Sequence, residues 1–338
     1  MNPQNTQLAH SAHAARRRLL SAITLAASLA VLSTTPAQAQ GYPAKPIRMV
    51  VGYAPGGSVD MAARVAADVI AAQIGATVVI DNQSGAAGTV AAQRLVNSPA
   101  DGYTLLTGSS NEMAATAQVN PAQKYDPLKD MTPIGLISTA PLLLVASPRT
   151  GVKSLAEFIE ATKRNPGKFS YGSSGVGSTL HFAGELIKQR AGIFMAHIPY
   201  RSTSSLTTDL VGGTLDFAII SPTAAAPFIQ SGRIVPLGIT SATRMPSLPN
   251  VPPLGEHPLL KGYELSGWFA LAGPANLPPE VTQRLRAALV AGLKDPAVRK
   301  RLEAGGSNPA NGNEDLAKLM RDDATKFAGL VKFANMKD

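Results

Sequence analysis

Serines, glycines and backbone amides, more than acids or thiols, carry the chemistry this sequence offers. Three stretches stand out: Tyr53-Ala54-Pro55-Gly56-Gly57-Ser58-Val59-Asp60, Asn82-Gln83-Ser84-Gly85-Ala86-Ala87-Gly88 and Tyr171-Gly172-Ser173-Ser174-Gly175-Val176-Gly177-Ser178. Each follows a β-rich run and precedes a helical one. A helix N-terminus has unpaired N–H groups and a partial positive charge, so a Gly/Ser turn feeding into it suits an anion. Two turns lie early and one mid-chain, so two halves of the protein are expected to close on one anionic ligand. Singly, Ser58, Ser109, Ser174 and Ser178 fit ordinary roles as helix caps or turn residues. Their grouping at strand ends is what points to binding.

Catalytic signatures are missing. Gly172-Ser173-Ser174-Gly175 lacks one spacer residue of a nucleophile elbow, and Leu180 replaces the third glycine of a dinucleotide fingerprint begun at Gly175. His181 and Glu185 are four apart on one predicted helix, but a zinc site needs at least one further ligand. His197 is read as structural, and His257 falls in a Pro-rich loop. Asp60 suits a helix first turn, Asp216 a strand start, and Trp268 and Phe269 core or hinge packing. No catalytic residue, metal or cofactor is expected.

These turns need a scaffold of alternating strands and helices. Ile47 to Tyr53, Thr77 to Asp81 and Tyr103 to Thr107 read as strands, with helices from Val59 to about Ile74 and from Thr89 to Asn97. The theme restarts after Leu142 to Ser147, an apolar extended run suited to crossing between lobes. Ser154 opens a helix with capping-box spacing, and strands follow at Phe169, Ala196, Phe217 and Pro236. Tyr263 to Leu271 is the expected return crossing, and helices fill the rest. The order implies an α/β fold of two lobes, each a mostly parallel sheet flanked by helices, with ligand at the strand carboxyl ends. The predicted division is a leader over 1–39, a first lobe of 40–141 plus 265–338, and a second lobe of 142–264, with a two-crossing hinge.

The leader has Arg16-Arg17-Arg18, an apolar stretch from Leu19 to Leu32, and Ala37-Gln38-Ala39 as a small-x-small cleavage site. It reads as a secretory signal peptide cleaved after Ala39; Sec and twin-arginine export both fit. The 299 residues from Gln40 suit two lobes, and their 28 Lys and Arg against 22 Asp and Glu give a mild positive field. Cysteine is absent, which excludes disulfides, thiolate catalysis and a lipid-anchoring cysteine. No basic stripe with interleaved aromatics exists, so nucleic acid is not an expected partner.

Several motifs together resemble a known family. Pro55-Gly56-Gly57-Ser58-Val59-Asp60 with Ala63-Arg64, the turn Asn82 to Gly88, and Asp101-Gly102-Tyr103-Thr104-Leu105 are similar to those of the tripartite tricarboxylate transporter receptors, or Bug proteins. So are Gly172 to Glu185 and the run from Pro199-Tyr200-Arg201 to Asp209-Leu210-Val211-Gly212-Gly213-Thr214-Leu215-Asp216. The resemblance implies a periplasmic, Venus-flytrap receptor that closes two lobes on a small carboxylate and delivers it to a membrane transporter by transient contact, as a monomer. Carried over by position, it places Tyr53, Pro55, Gly57 and Ser58 at the ligand from one lobe; Ser109, at a neighbouring strand end, joins them from the grouping of serines at strand ends. Ser173, Ser174, Gly177, Ser178 and His181 are implied from the other lobe, with Tyr200, Arg201 and Ser221 on the variable side.

Three departures stand out: Ala87 where the family has Gly, Ser202 after Arg201 instead of Gly, and Ser221 where an acid often ends the strand. Loss of that acid disfavours ligands bearing an amino group and favours an uncharged tail or a second carboxylate. Two other readings use the same cleft: an exported hydrolase or lyase with His181 or Asp216 as acid–base, and a ligand sensor that docks a signalling receptor.

Overall fold

Two β-sheets organise the chain. The computed structural model describes residues 41–200 and 202–336; the leader with its expected cleavage site, and Arg201, lie outside the described residues. From Lys45 onward the chain is one compact unit, with 41–44 outside it.

In the first sheet, β1 (Ile47–Val51) lies between β2 (Val78–Asn82) and β3 (Thr104–Ser109), both parallel to it. The connecting helices are α1 (Ser58–Ile74) and α2 (Thr89–Val96). β1 is buried at four of its five positions, as expected for a strand covered by helices. The sheet continues through β10 (Gly267–Pro274), β4 (Met131–Ala140) and the short β11 (Asn308–Pro309), all paired antiparallel.

In the second sheet, β6 (Ser170–Ser173) pairs parallel with β7 (Ala196–Pro199) and β8 (Phe217–Ile220). β5 (Leu143–Ala146) and β9 (Val235–Ile239) extend it antiparallel. Its helices are α3 (Leu155–Arg164), α4 (Thr179–Ala191), α5 (Thr203–Gly212) and α6 (Pro222–Gln230). Helices α7 (Pro279–Gly292), α8 (Pro296–Ala304) and α9 (Leu316–Ala334) complete the chain.

The sequence suggested mostly parallel sheets, whereas both are mixed. The parallel strands are those joined by helical crossovers; the antiparallel β4, β5, β9 and β10 flank the two links between the sheets, and the antiparallel β11 follows α8. The chain leaves the first sheet through Ala140 to Leu142 and returns by Leu265 to Gly267. There Leu142 N donates to Thr240 Oγ1 (2.8 Å), Thr240 N to Leu142 O (2.9 Å) and Leu265 N to Thr240 O (3.2 Å). Helix α9 bridges to the second sheet's layer: the Phe327 ring stacks on Phe182 of α4 at 4.5 Å. The buried Trp268 is anchored by donating Nε1–H to Asp323 of α9 at 2.8 Å.

Helix ends follow local chemistry. Ser154, Ser178, Ser202 and Ser221 each accept a first-turn backbone N–H with their side chains, and Gly75, Gly192 and Gly213 end helices in the left-handed conformation. Among the described residues no helix is long and apolar enough to cross a membrane.

Candidate functional site

The first Gly/Ser turn is braced by one buried carboxylate. Asp60 accepts from Gly56 N (2.9 Å), Arg64 Nε (2.8 Å) and Asn82 Nδ2 (2.9 Å). Burial alone would raise the Asp60 pKa, but these donors outweigh it and hold it below the ordinary carboxylate value. Asn82 Nδ2 also donates to Tyr53 O (2.9 Å), so the Pro-Gly-Gly-Ser-x-Asp motif and the end of β2 together fix Tyr53.

Tyr53 then joins a second cluster at the end of β3. Its Oη donates its one proton to Glu112 Oε2 (3.0 Å), lies 3.0 Å from both Ser109 Oγ and Ala87 O, and accepts from Asn111 Nδ2 (3.2 Å). Glu112 also accepts from Ser109 N (2.8 Å) and from Ser109 Oγ. The Glu112 carboxyl is fully buried, and burial pushes its pKa up to about 7 despite those hydrogen bonds. Burial, followed by the charge of Glu112, pushes the Tyr53 phenol well up.

The two sheets meet at the start of α4. Asn111 Oδ1 accepts from Thr179 N (3.0 Å) and Thr179 Oγ1 (2.9 Å), and Ser110 Oγ lies 2.9 Å from Thr179 Oγ1. Gly177, with φ at +72°, lets Val119 pack where a side chain would stand.

Between the sheets is a cavity of about 150 Å³. Tyr53, Ser58, Ser109, Asn111, Thr179 and Ser221 supply polar groups to its wall, and Leu142, Leu180 and Phe269 supply apolar surface. The N-termini of α1, α4 and α6 all reach it. No Asp, Glu, His, Lys or Arg lines it among the described residues. Such a wall can hold an anion by hydroxyl groups and helix dipoles in place of a formal counter-charge.

Of the residues singled out in the sequence, the structure gathers Tyr53, Ser58, Ser109 and Ser221 in this wall. Pro55 and Gly57 are exposed on the same first turn and do not line it, nor do Ser173, Ser174, Gly177, Ser178, His181 and Tyr200. The turn after β6 folds on itself: Ser178 Oγ donates to Gly175 O (2.8 Å), and Ser173 Oγ contacts both Gly175 N and Gly175 O at 3.2 Å. Tyr200 Oη donates to Asp209 at 2.8 Å. Asp216 accepts from Ser170 N and Oγ, which ties β6 to the start of β8.

His181 lies beneath this turn. Its Nδ1 accepts from Gly177 N (3.2 Å), and its ring stacks on His197 with centroids 3.7 Å apart. His197 Nε2 is 2.7 Å from Ser173 Oγ. Burial lowers the His181 pKa to about 3 and that of His197 to about 4, with Lys188 adding to both. His181 Nε2 is 3.7 Å from Glu185 Oε1, but a neutral imidazole makes no ion pair there; Glu185 is partnered by Lys188 Nζ (2.8 Å) and Tyr171 Oη (2.6 Å).

Asn111, Glu112, Thr179 and Thr223 were not picked out in the sequence. The polar cluster Ser109-Ser110-Asn111-Glu112 straight after a strand was the one available signal for the first two. Phe269, read as packing, faces the cavity.

Two sheets joined by paired crossings, with a cavity of hydroxyl groups and apolar surface between them, define a bilobal binding protein. A family profile described as "Tripartite tricarboxylate transporter family receptor" matches residues 62–336, and the chain belongs to that family. It is 32% identical over 325 residues to protein BugT of Bordetella pertussis, covering 95% of this chain and 98% of BugT. Among solved structures it is similar to R. palustris Rpa4515 with adipate, with 30% identity and a TM-score of 0.76 over 88% of this chain and 99% of that one. It is also similar to MatC (Rpa3494) from Rhodopseudomonas palustris with bound malate, with 28% identity and a TM-score of 0.71 over 86% and 100% of the two chains.

Proposed function

We propose that this chain is an exported receptor that captures a small carboxylate in the cavity between its sheets and hands it to a tripartite tricarboxylate-type transporter. The observation that carries this reading is the wall itself: hydroxyls of Tyr53, Ser58, Ser109, Thr179 and Ser221, with three helix N-termini, converge on one cavity that no carboxylate lines among the described residues. Adipate and malate in the two similar structures support the ligand class. Charge-assisted hydrogen bonds contribute about 1.5–3 kcal/mol each, and each helix terminus roughly 0.3–1 kcal/mol.

Ligand that touches both lobes favours the closed form by its differential affinity for that form, and the closed form is what the transporter recognises. In this account the leader is cleaved after Ala39, the lobes divide near residues 141 and 265, and the receptor works as a monomer with transient transporter contact. Arg201, outside the described residues, is a further proposed ligand contact on the variable side.

A hydrolase or lyase would need a proton-transfer group at the ligand. His181 and Asp216, the two candidates, are both engaged away from the cavity. Equilibrium dialysis of the chain from Gln40 against radiolabelled adipate and malate tests the proposal. Saturable retention with the acid recovered chemically intact is expected; conversion of the retained acid would replace the receptor reading with an enzymatic one.

A further inference from the structure

A second cavity, of about 310 Å³, adjoins the first. Ala226, Ile229, Met245 and Leu248 give its wall apolar surface, while Gln230, Ser247 and its one acidic residue, Glu303, line it at the solvent-exposed side. Pro222, Thr223 and Gly306 line both cavities, so these residues form the partition between them. Thr223 belongs to the first turn of α6, on the second sheet, and its Oγ1 lies 3.2 Å from Ser221 Oγ. Gly306 lies in the turn between α8 and β11, on the first sheet. With φ at +77°, Gly306 has no side chain to keep the two apart: a Cβ there would stand 2.8 Å from Thr223 Cγ2. The methyl of Thr223 is therefore packed on the Gly306 backbone, across the gap between the lobes.

We propose that the Thr223–Gly306 contact is a length stop for the bound ligand, and that the second cavity is the room it withholds. The inference rests on the reading of the first cavity as a carboxylate site. With the carboxylate head in the first cavity, a growing tail meets the Thr223 methyl at the shared wall. Removing that methyl opens the way into the second cavity while a serine hydroxyl keeps the contact with Ser221. The second cavity suits an uncharged alkyl tail, since a second carboxylate reaching it would meet Glu303. Each methylene that stays in an apolar wall tightens binding about fourfold.

Titration calorimetry of the chain from Gln40 with straight-chain monocarboxylates from acetate to decanoate, and the matching dicarboxylates, tests the stop. The wild-type protein is expected to gain affinity with length up to a limit and to lose it beyond. Thr223→Ser is expected to raise that limit by at least two methylenes for monocarboxylates, with a smaller gain for dicarboxylates. Adding Ala226→Phe, which fills the second cavity, is expected to return the profile to that of the wild type. Weakened binding of the shortest acids by Thr223→Ser also overturns the stop, since the methyl would then act at the carboxylate head and not on the tail. An unchanged limit in Thr223→Ser, a wild-type profile without a limit, or an extension that Ala226→Phe fails to reverse overturns the stop and leaves the carboxylate reading standing. Absence of binding by every acid to every protein overturns both.

Discussion

The phenol of Tyr53 donates to Glu112 Oε2 across 3.0 Å, joining a side chain in the cavity wall to a carboxyl group sealed from solvent. While Glu112 is ionised it draws the Tyr53 and Ser109 hydroxyl protons toward itself and away from the cavity. Once protonated it donates one hydrogen bond in return, and a hydroxyl becomes free to donate to a bound anion. Carboxylate affinity is therefore expected to fall as pH rises through about 7. Glu112→Gln, which keeps a hydrogen-bonding side chain without the charge, is expected to flatten that dependence; calorimetry at pH 6 and pH 8 reads the difference.

The same group sets one limb of stability. Its folded pKa of about 7 lies above its ordinary 4.5, so the native chain holds a proton that the unfolded chain releases. The contribution is full below about pH 4.5 and is lost as pH rises through 7, with a size of roughly 3 kcal/mol. Urea unfolding of wild type and Glu112→Gln across that window is expected to show the difference in slope.

The histidine stack has the opposite sign. His181 and His197 are held neutral with pKa values of about 3 and 4, below the ordinary 6.5. Their contribution is present above pH 6.5 and is lost as pH falls through the folded values, because the unfolded chain takes up protons first. His197→Gln preserves a partner for Ser173 and is expected to reduce the loss of stability between pH 6.5 and 4, measured by thermal unfolding.

Ala87 sits in the left-handed region, with φ at +52°, and its carbonyl lies 3.0 Å from Tyr53 Oη. A side chain there costs roughly 1–2 kcal/mol, partly offset by the larger entropy of glycine in the unfolded chain. Ala87→Gly is expected to stabilise the protein by about 1 kcal/mol in urea unfolding without changing ligand selectivity.

Asn111 links the sheets by accepting from the Thr179 amide and hydroxyl at the start of α4. Asn111→Ala leaves that part-buried amide without its acceptor and is expected to cost roughly 1–3 kcal/mol in urea unfolding. Ligand affinity is expected to fall as well, since Thr179 lines the cavity.

Much of this arrangement is legible in the residues. Ser154 caps a helix where its spacing says so, and the Pro-Gly-Gly-Ser-x-Asp turn feeds α1. Local patterns could not reveal which turns share one wall. Ser58, Thr179 and Ser221 are brought to one cavity by the packing of two sheets, and that leaves no mark on their neighbours in sequence. The turn at Gly172 to Ser178 has the composition of a binding loop, yet the Ser173 and Ser178 hydroxyls are taken up by its own backbone and by His197. Glu112 looks like a surface acid until β3 and the Ala86 to Gly88 turn close over it.

The central claim is that the hydroxyl-lined cavity holds a carboxylate. A thermal-shift screen of the chain from Gln40 against mono-, di- and tricarboxylates, run beside Tyr53→Phe and Ser109→Ala, tests it most directly. A ligand at 100 times its dissociation constant is expected to add about 2.7 kcal/mol to wild-type stability, a shift of a few degrees, with a smaller shift in both variants. No shift with any carboxylate, or equal shifts in all three proteins, would contradict the account.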